Sequence, residues 1–95
     1  MLTERKSDTR HYFLDAQGRM QGEYKSWWPN GNMWGHCFYI DDKCHGECKW
    51  WRKDGTLMQH YFYAHGKLYR NLIENPVDEK DKFIIALETG AKWLC

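Results

Sequence analysis

The sequence predicts a mostly β fold: a meandering antiparallel sheet of tandem β-hairpin repeats of about 24 residues, with one C-terminal helix. The segment from Gly22 to Gly31 recurs from Gly46 to Gly55. Both copies combine Gly-Glu, a lysine and paired aromatic residues with an Asn/Asp-Gly turn, and one helical pattern follows after Asn75. A fixed period of this length indicates a repeat architecture.

The repeat extends over two hairpins at a constant shift of 24 residues. The matching pairs are Glu23/Glu47, Lys25/Lys49, Trp27/Trp51, Asn30/Asp54, Gly31/Gly55, His36/His60, Phe38/Phe62, Tyr39/Tyr63 and Lys43/Lys67. A unit of this size accommodates two strands and two turns, so each unit is predicted to be one hairpin. Successive hairpins then extend one sheet of roughly six strands.

Strand and turn signals alternate along the chain after a polar lead-in, residues 1–9, which is predicted to be flexible. Residues 29–31 and 53–55 are turn signals, because Asn/Asp-Gly accepts the backbone conformations that tight turns need. The predicted strands cover residues 11–14, 20–28, 32–40, 43–52 and 56–63, and a degenerate third unit opens at 68–72.

The C-terminal part, residues 75–95, is predicted to form a helix followed by an apolar tail. Asn75 is expected to cap a helix that begins at Pro76 and stops before Gly90. An apolar stripe at helical spacing is expected to cover part of one sheet face. Its members are Val77, Phe83, Ile84, Leu87 and Ala91. With the repeats at 10–72, residues 1–95 are expected to form a single domain.

Charge and hydropathy nominate neither a nucleic acid nor a membrane as partner. The 14 Lys and Arg residues nearly balance 13 Asp and Glu residues, for a net charge of +1. The longest apolar run, residues 83–87, is too short to span a bilayer. Because the amino terminus lacks an apolar signal segment, the sequence predicts a cytoplasmic protein with reduced thiols.

The region around residues 41–55 resembles the MORN repeat, in the variant found in bacterial and phage proteins. The resemblance is carried by Asp41-Asp42-Lys43-Cys44-His45-Gly46-Glu47-Cys48-Lys49-Trp50-Trp51 with Asp54-Gly55. Weaker copies begin at Gln21 and His65, and coverage runs from Tyr12 to Asn71. The resemblance implies hairpin sheets that serve as contact surfaces for proteins or lipid headgroups. It also implies an antitoxin-like family.

Two features depart from the MORN pattern. Asp42 stands where a glycine is expected before Lys43, and Arg70 replaces the glycine that Gly46 supplies. The third unit is therefore expected to be a degenerate cap.

The cysteines allow a second interpretation, a zinc- or small-ligand-binding protein. Cys37, Cys44, His45 and Cys48 are residue types that bind Zn²⁺ tetrahedrally. The repeat also assigns each of these cysteines to a position that holds an apolar side chain in another copy, so small buried hydrophobic residues explain them without a metal. No catalytic constellation and no Gly-rich phosphate loop is evident, so neither an enzyme nor a cofactor is predicted.

Interleaved basic and tryptophan residues also resemble a single-stranded nucleic-acid platform. Glu23 and Glu47 flank the lysines of both repeats and are expected to pair with them. Nucleic acid is therefore an unfavoured partner.

Strand alternation puts aromatic residues on both faces of the predicted sheet. Trp34, His36, Phe38 and Ile40 share one side, whereas Cys37 and Tyr39 share the other. One helix covers one face, so the other is expected to bind a protein partner or form a homodimer. The predicted function is a non-catalytic module that occludes a partner protein. The predicted contact residues are Trp27, Trp28, Trp34, Trp50, Trp51, Tyr61 and Tyr63.

Overall fold

The computed structural model describes residues 1–93 as eight strands and one helix. The strands are β1 (Thr3–Lys6), β2 (Arg10–Leu14), β3 (Gly22–Trp27), β4 (Met33–Ile40), β5 (Lys43–Cys44), β6 (Gly46–Trp51), β7 (Leu57–Ala64) and β8 (Lys67–Asn71). The helix is α1 (Glu79–Thr89). Leu94 and Cys95, the end of the predicted tail, lie outside the described residues.

The strands form one antiparallel sheet in the order β1-β2-β3-β4-β6-β7-β8, with the short β5 paired to β4. The predicted meander of hairpins is confirmed, with eight strands rather than about six. Two of the differences have a local origin. The segment expected to be a flexible lead-in contains β1, which pairs with β2 from Thr3↔Leu14 to Lys6↔His11. The predicted strand 43–52 is interrupted at His45, which separates β5 from β6.

The two repeats have the same register and the same turns. Gly22 pairs with Tyr39 in the first hairpin, and Gly46 pairs with Tyr63 in the second. Each Asn/Asp-Gly turn is closed from its glycine, as Gly31 N–H donates to Trp28 O at 2.9 Å. The equivalent Gly55 has φ +89°, which glycine adopts without strain.

The helix is capped at both ends. Asp78 accepts a hydrogen bond from Asp81 N–H at 2.9 Å, and Gly90 ends the helix with φ +70°. The predicted stop at Gly90 is confirmed, but the helix begins at Glu79, so the prediction of Asn75 as cap and Pro76 as first residue was wrong. A carboxylate at position 78 supplies the N-cap three residues further along.

The helix and the C-terminal segment cover one face of the sheet at its β6–β8 end. Phe62, Leu72, Ile85 and Ala91 form the buried cluster, with Val77 and Trp93 packed against it. The C-terminal segment continues across the same face, because Glu47 N–H donates to Lys92 O at 2.8 Å. By strand alternation, Phe62 shares this face with His60. We call it the covered face.

The predicted apolar stripe of the helix does not point at the sheet. Phe83 is 67% exposed, Ile84 50% and Leu87 70%, whereas Ile85 is 6% exposed. Of the predicted stripe, only Val77 and Ala91, outside the helix, join the core. The physical reason is Trp93, whose ring lies 4.3 Å from that of Phe62 and fills the space beside the helix.

Candidate functional site

The sheet face opposite the covered face carries most of the aromatic rings of the repeats. Its members are Tyr12, Tyr24, Tyr39, Tyr61, Tyr63, Trp28, Trp34 and Trp50, and we call it the aromatic face. The tyrosines contact one another across and along strands: the ring centroids of Tyr24 and Tyr39 are 5.9 Å apart, and those of Tyr61 and Tyr63 are 6.0 Å apart. All five tyrosines are partly exposed.

Three tryptophans extend this face toward the Asn/Asp-Gly turns. Trp28 stacks on Trp34 with centroids 4.4 Å apart, and Trp34 meets Trp50 edge-on at 6.3 Å. The Lys53 ammonium lies 5.5 Å from the centroid of Trp28. Rings in such offset and edge-on contact stabilise one another's orientation. The group therefore presents a fixed apolar surface.

A β-bulge brings Trp34 into this group. Ser26 pairs with Gly35, but Trp27 pairs with Met33, so Trp34 is an extra residue on β4. Bulges re-aim side chains. The prediction that Trp34 shares a side with His36 was therefore wrong: its ring contacts Trp50, which lies beside Cys48 on the aromatic face.

Glycine at position 35 makes room for Trp50. A Cβ atom at Gly35 would lie 2.6 Å from ring atom Cζ3 of Trp50, far inside contact distance. The indole therefore lies directly on the backbone of β4, and its neighbour Ser26 is buried beneath the same contact. The position of Trp50 is fixed by the paired strand rather than by a flexible side-chain neighbour.

Five of the seven predicted contact residues lie on the aromatic face: Trp28, Trp34, Trp50, Tyr61 and Tyr63. By strand alternation, Trp27 and Trp51 belong with Lys25 and Lys49 on the covered face. Trp51 touches the group through its backbone, because Trp28 Nε1 donates to Trp51 O at 3.1 Å. The face also contains Tyr12, Tyr24 and Tyr39, which the sequence pattern did not predict as contact residues, although the alternation of Cys37 and Tyr39 predicts one tyrosine there.

A cleft of about 600 Å³ adjoins the tryptophans where the β1–β2 turn approaches the β3–β4 turn. Trp27 and Trp28 line it together with Lys6 and Asp8. The cleft therefore continues the apolar surface of Trp28 as far as one basic residue, Lys6, and one acidic residue, Asp8.

The cysteines do not form the alternative zinc site. Cys37 and Cys48 face each other across β4 and β6 and form a disulfide bond, with exposures of 0% and 2%. Their sulfurs are therefore not thiolates available to a metal. Among the described residues no group of three or more His, Cys, Asp or Glu side chains could hold a metal ion. The zinc interpretation of Cys37, Cys44, His45 and Cys48 is corrected, as is the expectation of reduced thiols at positions 37 and 48.

Cys44 and His45 have other partners. Burial raises the pKa of the Cys44 thiol, which keeps it protonated at neutral pH and a weak nucleophile. His45 is buried at 4% exposure, and its Nδ1 accepts a hydrogen bond from His65 N–H at 2.8 Å. Burial, followed by the nearby His65, lowers the pKa of His45. Both shifts favour the uncharged form of the side chain at neutral pH.

On the covered face, each repeat builds the same Glu–Lys–His group. Glu23 binds His36 Nε2 at 2.6 Å and lies 3.7 Å from Lys25 Nζ. In the second repeat Glu47, which is buried, contacts His60 and lies 3.6 Å from Lys49 Nζ. The predicted pairing of these glutamates with the lysines is confirmed. The histidines have acidic partners that sequence reasoning did not assign, although the signal was present in the equivalent 13-residue spacing of both pairs.

Comparison with known proteins supports the repeat architecture. Residues 20–41 and 45–65 each match the sequence model of the MORN repeat variant. No curated protein and no solved structure matches the chain. MORN repeats are generally non-catalytic modules that bind proteins or membranes. No helix in the described part of the chain is long and apolar enough to cross a membrane.

Proposed function

We propose that this protein is a non-catalytic module that binds a partner protein through its aromatic face. The observation that carries the proposal is the position of the helix: α1 and Trp93 pack on Phe62, on the opposite side of the sheet. Within residues 1–93, which the structure describes, no helix packs on the partly exposed tyrosine and tryptophan rings of the aromatic face. Tyrosine and tryptophan are the residues most enriched at the energetic centres of protein interfaces.

The distribution of charge favours a protein partner over a nucleic acid. Lys25 and Lys49 belong to the covered face, and each lies within 4 Å of a glutamate. A single-stranded nucleic acid would need unpaired basic groups beside the stacking rings. Lys53 lies over Trp28, and Lys6 lines the adjoining cleft. Most of the aromatic face nevertheless offers rings and tyrosine hydroxyls, which suit a mixed apolar and polar protein surface.

Rigidity supports binding by occlusion. Three contacts hold the rings in place before a partner binds. They are the disulfide Cys37–Cys48, the stacking of Trp28 on Trp34 and the packing of Trp50 on Gly35. A preorganised surface loses little conformational entropy on binding. A small rigid sheet laid on a partner would shield that partner's own functional surface. This mode of action is that of an antitoxin-like protein or of a phage-encoded inhibitor of a host enzyme.

Two neighbouring tryptophans on opposite faces provide the test. Trp50→Ala removes a ring from the aromatic face, whereas Trp51→Ala removes one from the covered face and retains the backbone carbonyl that Trp28 uses. Partners captured from a native lysate by the unmodified chain are identified by mass spectrometry. Binding of the purified partner is then measured by calorimetry. We expect Trp50→Ala to weaken binding by about 30-fold, as for a typical interface hot spot, and Trp51→Ala to leave it nearly unchanged.

Circular dichroism of both variants controls for misfolding. The proposal is abandoned if folded Trp50→Ala and Trp28→Ala proteins bind the partner as tightly as the unmodified chain does, or if Trp51→Ala is the variant that loses binding.

A further inference from the structure

The outer side of helix α1 is an apolar stripe with no partner among the described residues. Phe83 and Ile84 precede Leu87 by four and three residues, and each of the three keeps half or more of its surface exposed. Helical neighbours at this spacing form one continuous patch. An amphipathic helix in a small sheet protein normally buries such a stripe, yet α1 buries Ile85 instead. The stripe is a separate surface from the aromatic face, because α1 lies on the other side of the sheet.

The two charges that flank this stripe stand at unfavourable ends of the helix. Lys80 lies in the first turn and Glu88 in the last turn, where the helix dipole favours the opposite signs. An ion pair within the helix does not explain Lys80, because Glu79 pairs with Lys82 at 3.4 Å. Glu88 accepts a long hydrogen bond, 3.4 Å, from the Tyr69 hydroxyl and lines a cleft together with Arg70.

A two-fold axis would make these two charges complementary. If two α1 helices pack antiparallel about an axis near Ile84, Lys80 of each copy meets Glu88 of the other, because both are four residues from the centre. The same operation brings the two apolar stripes together. An isologous contact of this kind needs a self-complementary patch. The stripe has that property in both hydrophobicity and charge.

The neighbouring edge of the sheet extends the patch. Tyr69 on β8 and Ile84 on the helix line the same cleft, of about 380 Å³, together with the charged side chains of Arg70, Asp81 and Glu88. Leu68 and Tyr69 are exposed on β8, which is an edge strand of the sheet. The opposite edge strand, β1, carries Thr-Glu-Arg-Lys, a charged sequence that discourages edge association. On β8, Leu68 and Tyr69 lie between Lys67 and Arg70, so the edge beside the helix combines exposed apolar side chains with basic ones.

We propose that the protein forms a homodimer through the outer side of α1, with Phe83, Ile84 and Leu87 at its centre and Lys80–Glu88 pairs at both ends. The second copy is the occupant that these observations favour, because the stripe and its flanking charges complement themselves. This proposal is independent of the aromatic face.

Charge reversal tests the pairing directly. Lys80→Glu and Glu88→Lys each place like charges together at both ends of the dimer, and the double variant restores opposite charges. We expect each single variant to raise the dimer dissociation constant by about tenfold or more, and the double variant to recover most of the loss. Sedimentation equilibrium over a concentration series measures these constants. Both reversals agree with the helix dipole, so a destabilised helix would not explain a loss of dimer.

Apolar variants and a matched control complete the experiment. Leu87→Ser is expected to give a monomer, whereas Leu57→Ser, which changes an exposed leucine on β7, is expected to leave the dimer intact. An unmodified chain that stays monomeric at high micromolar concentration overturns the proposal. The proposal is also overturned if both single reversals leave the dimer dissociation constant unchanged, or if the double variant does not restore dimerisation. Trp50→Ala is expected to keep the dimer, which separates this result from that of partner binding.

Discussion

His45 joins the sheet to the end of the helix through an uncharged ring. Its Nδ1 accepts from the backbone N–H of His65, so the neutral ring carries its proton on Nε2. The carbonyl groups of Thr89 and Gly90 lie near the ring and favour the protonated form, but burial and His65 outweigh them and lower the pKa. Protonation would place a second hydrogen at Nδ1, where a donor already points. The fold therefore selects neutral His45.

Folding stability should consequently fall as the pH decreases below about 6.5. In the unfolded chain His45 takes up a proton near its ordinary pKa of 6.5, whereas the folded state resists protonation until a lower pH. The loss begins near the unfolded pKa and levels off below the folded pKa. Urea unfolding midpoints measured between pH 7.5 and 5 should show this decrease.

A glutamine variant isolates the contribution of this one histidine. His45→Gln should flatten the pH dependence of the unfolding midpoint relative to that of the unmodified chain. Glu23 and Lys92 line the same cleft as His45 and remain in this variant. An unchanged pH dependence in His45→Gln would assign the effect to other groups.

At the scale of the element, helix α1 shows how tertiary contacts override an apolar pattern. Periodicity selects Phe83, Ile84 and Leu87 as the inner stripe, and the structure turns that stripe outward. The rotation of a short helix is decided by what already occupies the space beneath it. Here Trp93 returns beside the helix, and its Nε1 donates to Lys82 O at 2.9 Å. The apolar periodicity of the helix contains no information about Trp93, because this residue lies outside the helix in the sequence.

Alanine substitutions at two adjacent isoleucines test which side of the helix packs on the sheet. Ile85→Ala removes a buried side chain, so it should lower the free energy of unfolding by about 2 to 5 kcal/mol. Ile84→Ala removes an exposed one and should change it by less than about 0.5 kcal/mol. Both are best measured in the Lys80→Glu background at low concentration, where self-association does not contribute. A larger loss for Ile84→Ala would mean that the periodicity identified the inner stripe correctly.

At the scale of the whole molecule, the sequence predicts what repeats and misses what occurs once. The 24-residue shift predicted both hairpins, their turns and the equivalent Glu–Lys pairs, because each of these features appears twice in the chain. The strand alternation also predicted that two faces carry rings. The position of Trp34 was not predicted, because a bulge changes the face on which a side chain lies and the local sequence does not indicate the bulge. The inner face of the helix was missed because Trp93 lies outside the repeat.

The disulfide is another unrepeated feature, and it connects the two repeats. Cys37 lies on the second strand of the first hairpin and Cys48 on the first strand of the next, 11 residues apart. The equivalent positions of the other repeat hold tyrosines. Comparison of the repeats therefore predicted that each cysteine replaces an apolar side chain, and it did not predict the disulfide. Cross-strand neighbours of adjacent hairpins come together only once the strand order is known. This bond should stabilise the sheet as a whole, because it restricts the unfolded chain across the boundary between repeats.

Reduction should therefore lower the free energy of unfolding by about 3 kcal/mol, the value expected for closing a loop of this length. Urea unfolding is compared with and without prior reduction in denaturant. Cys44→Ser should show the same difference, whereas a Cys37→Ser/Cys48→Ser double variant should show none. Alkylation without reduction, followed by mass spectrometry, checks the pairing itself. If Cys37 and Cys48 are both alkylated in the unreduced, denatured protein, the bond is absent and the two repeats are held together by strand pairing and side-chain packing.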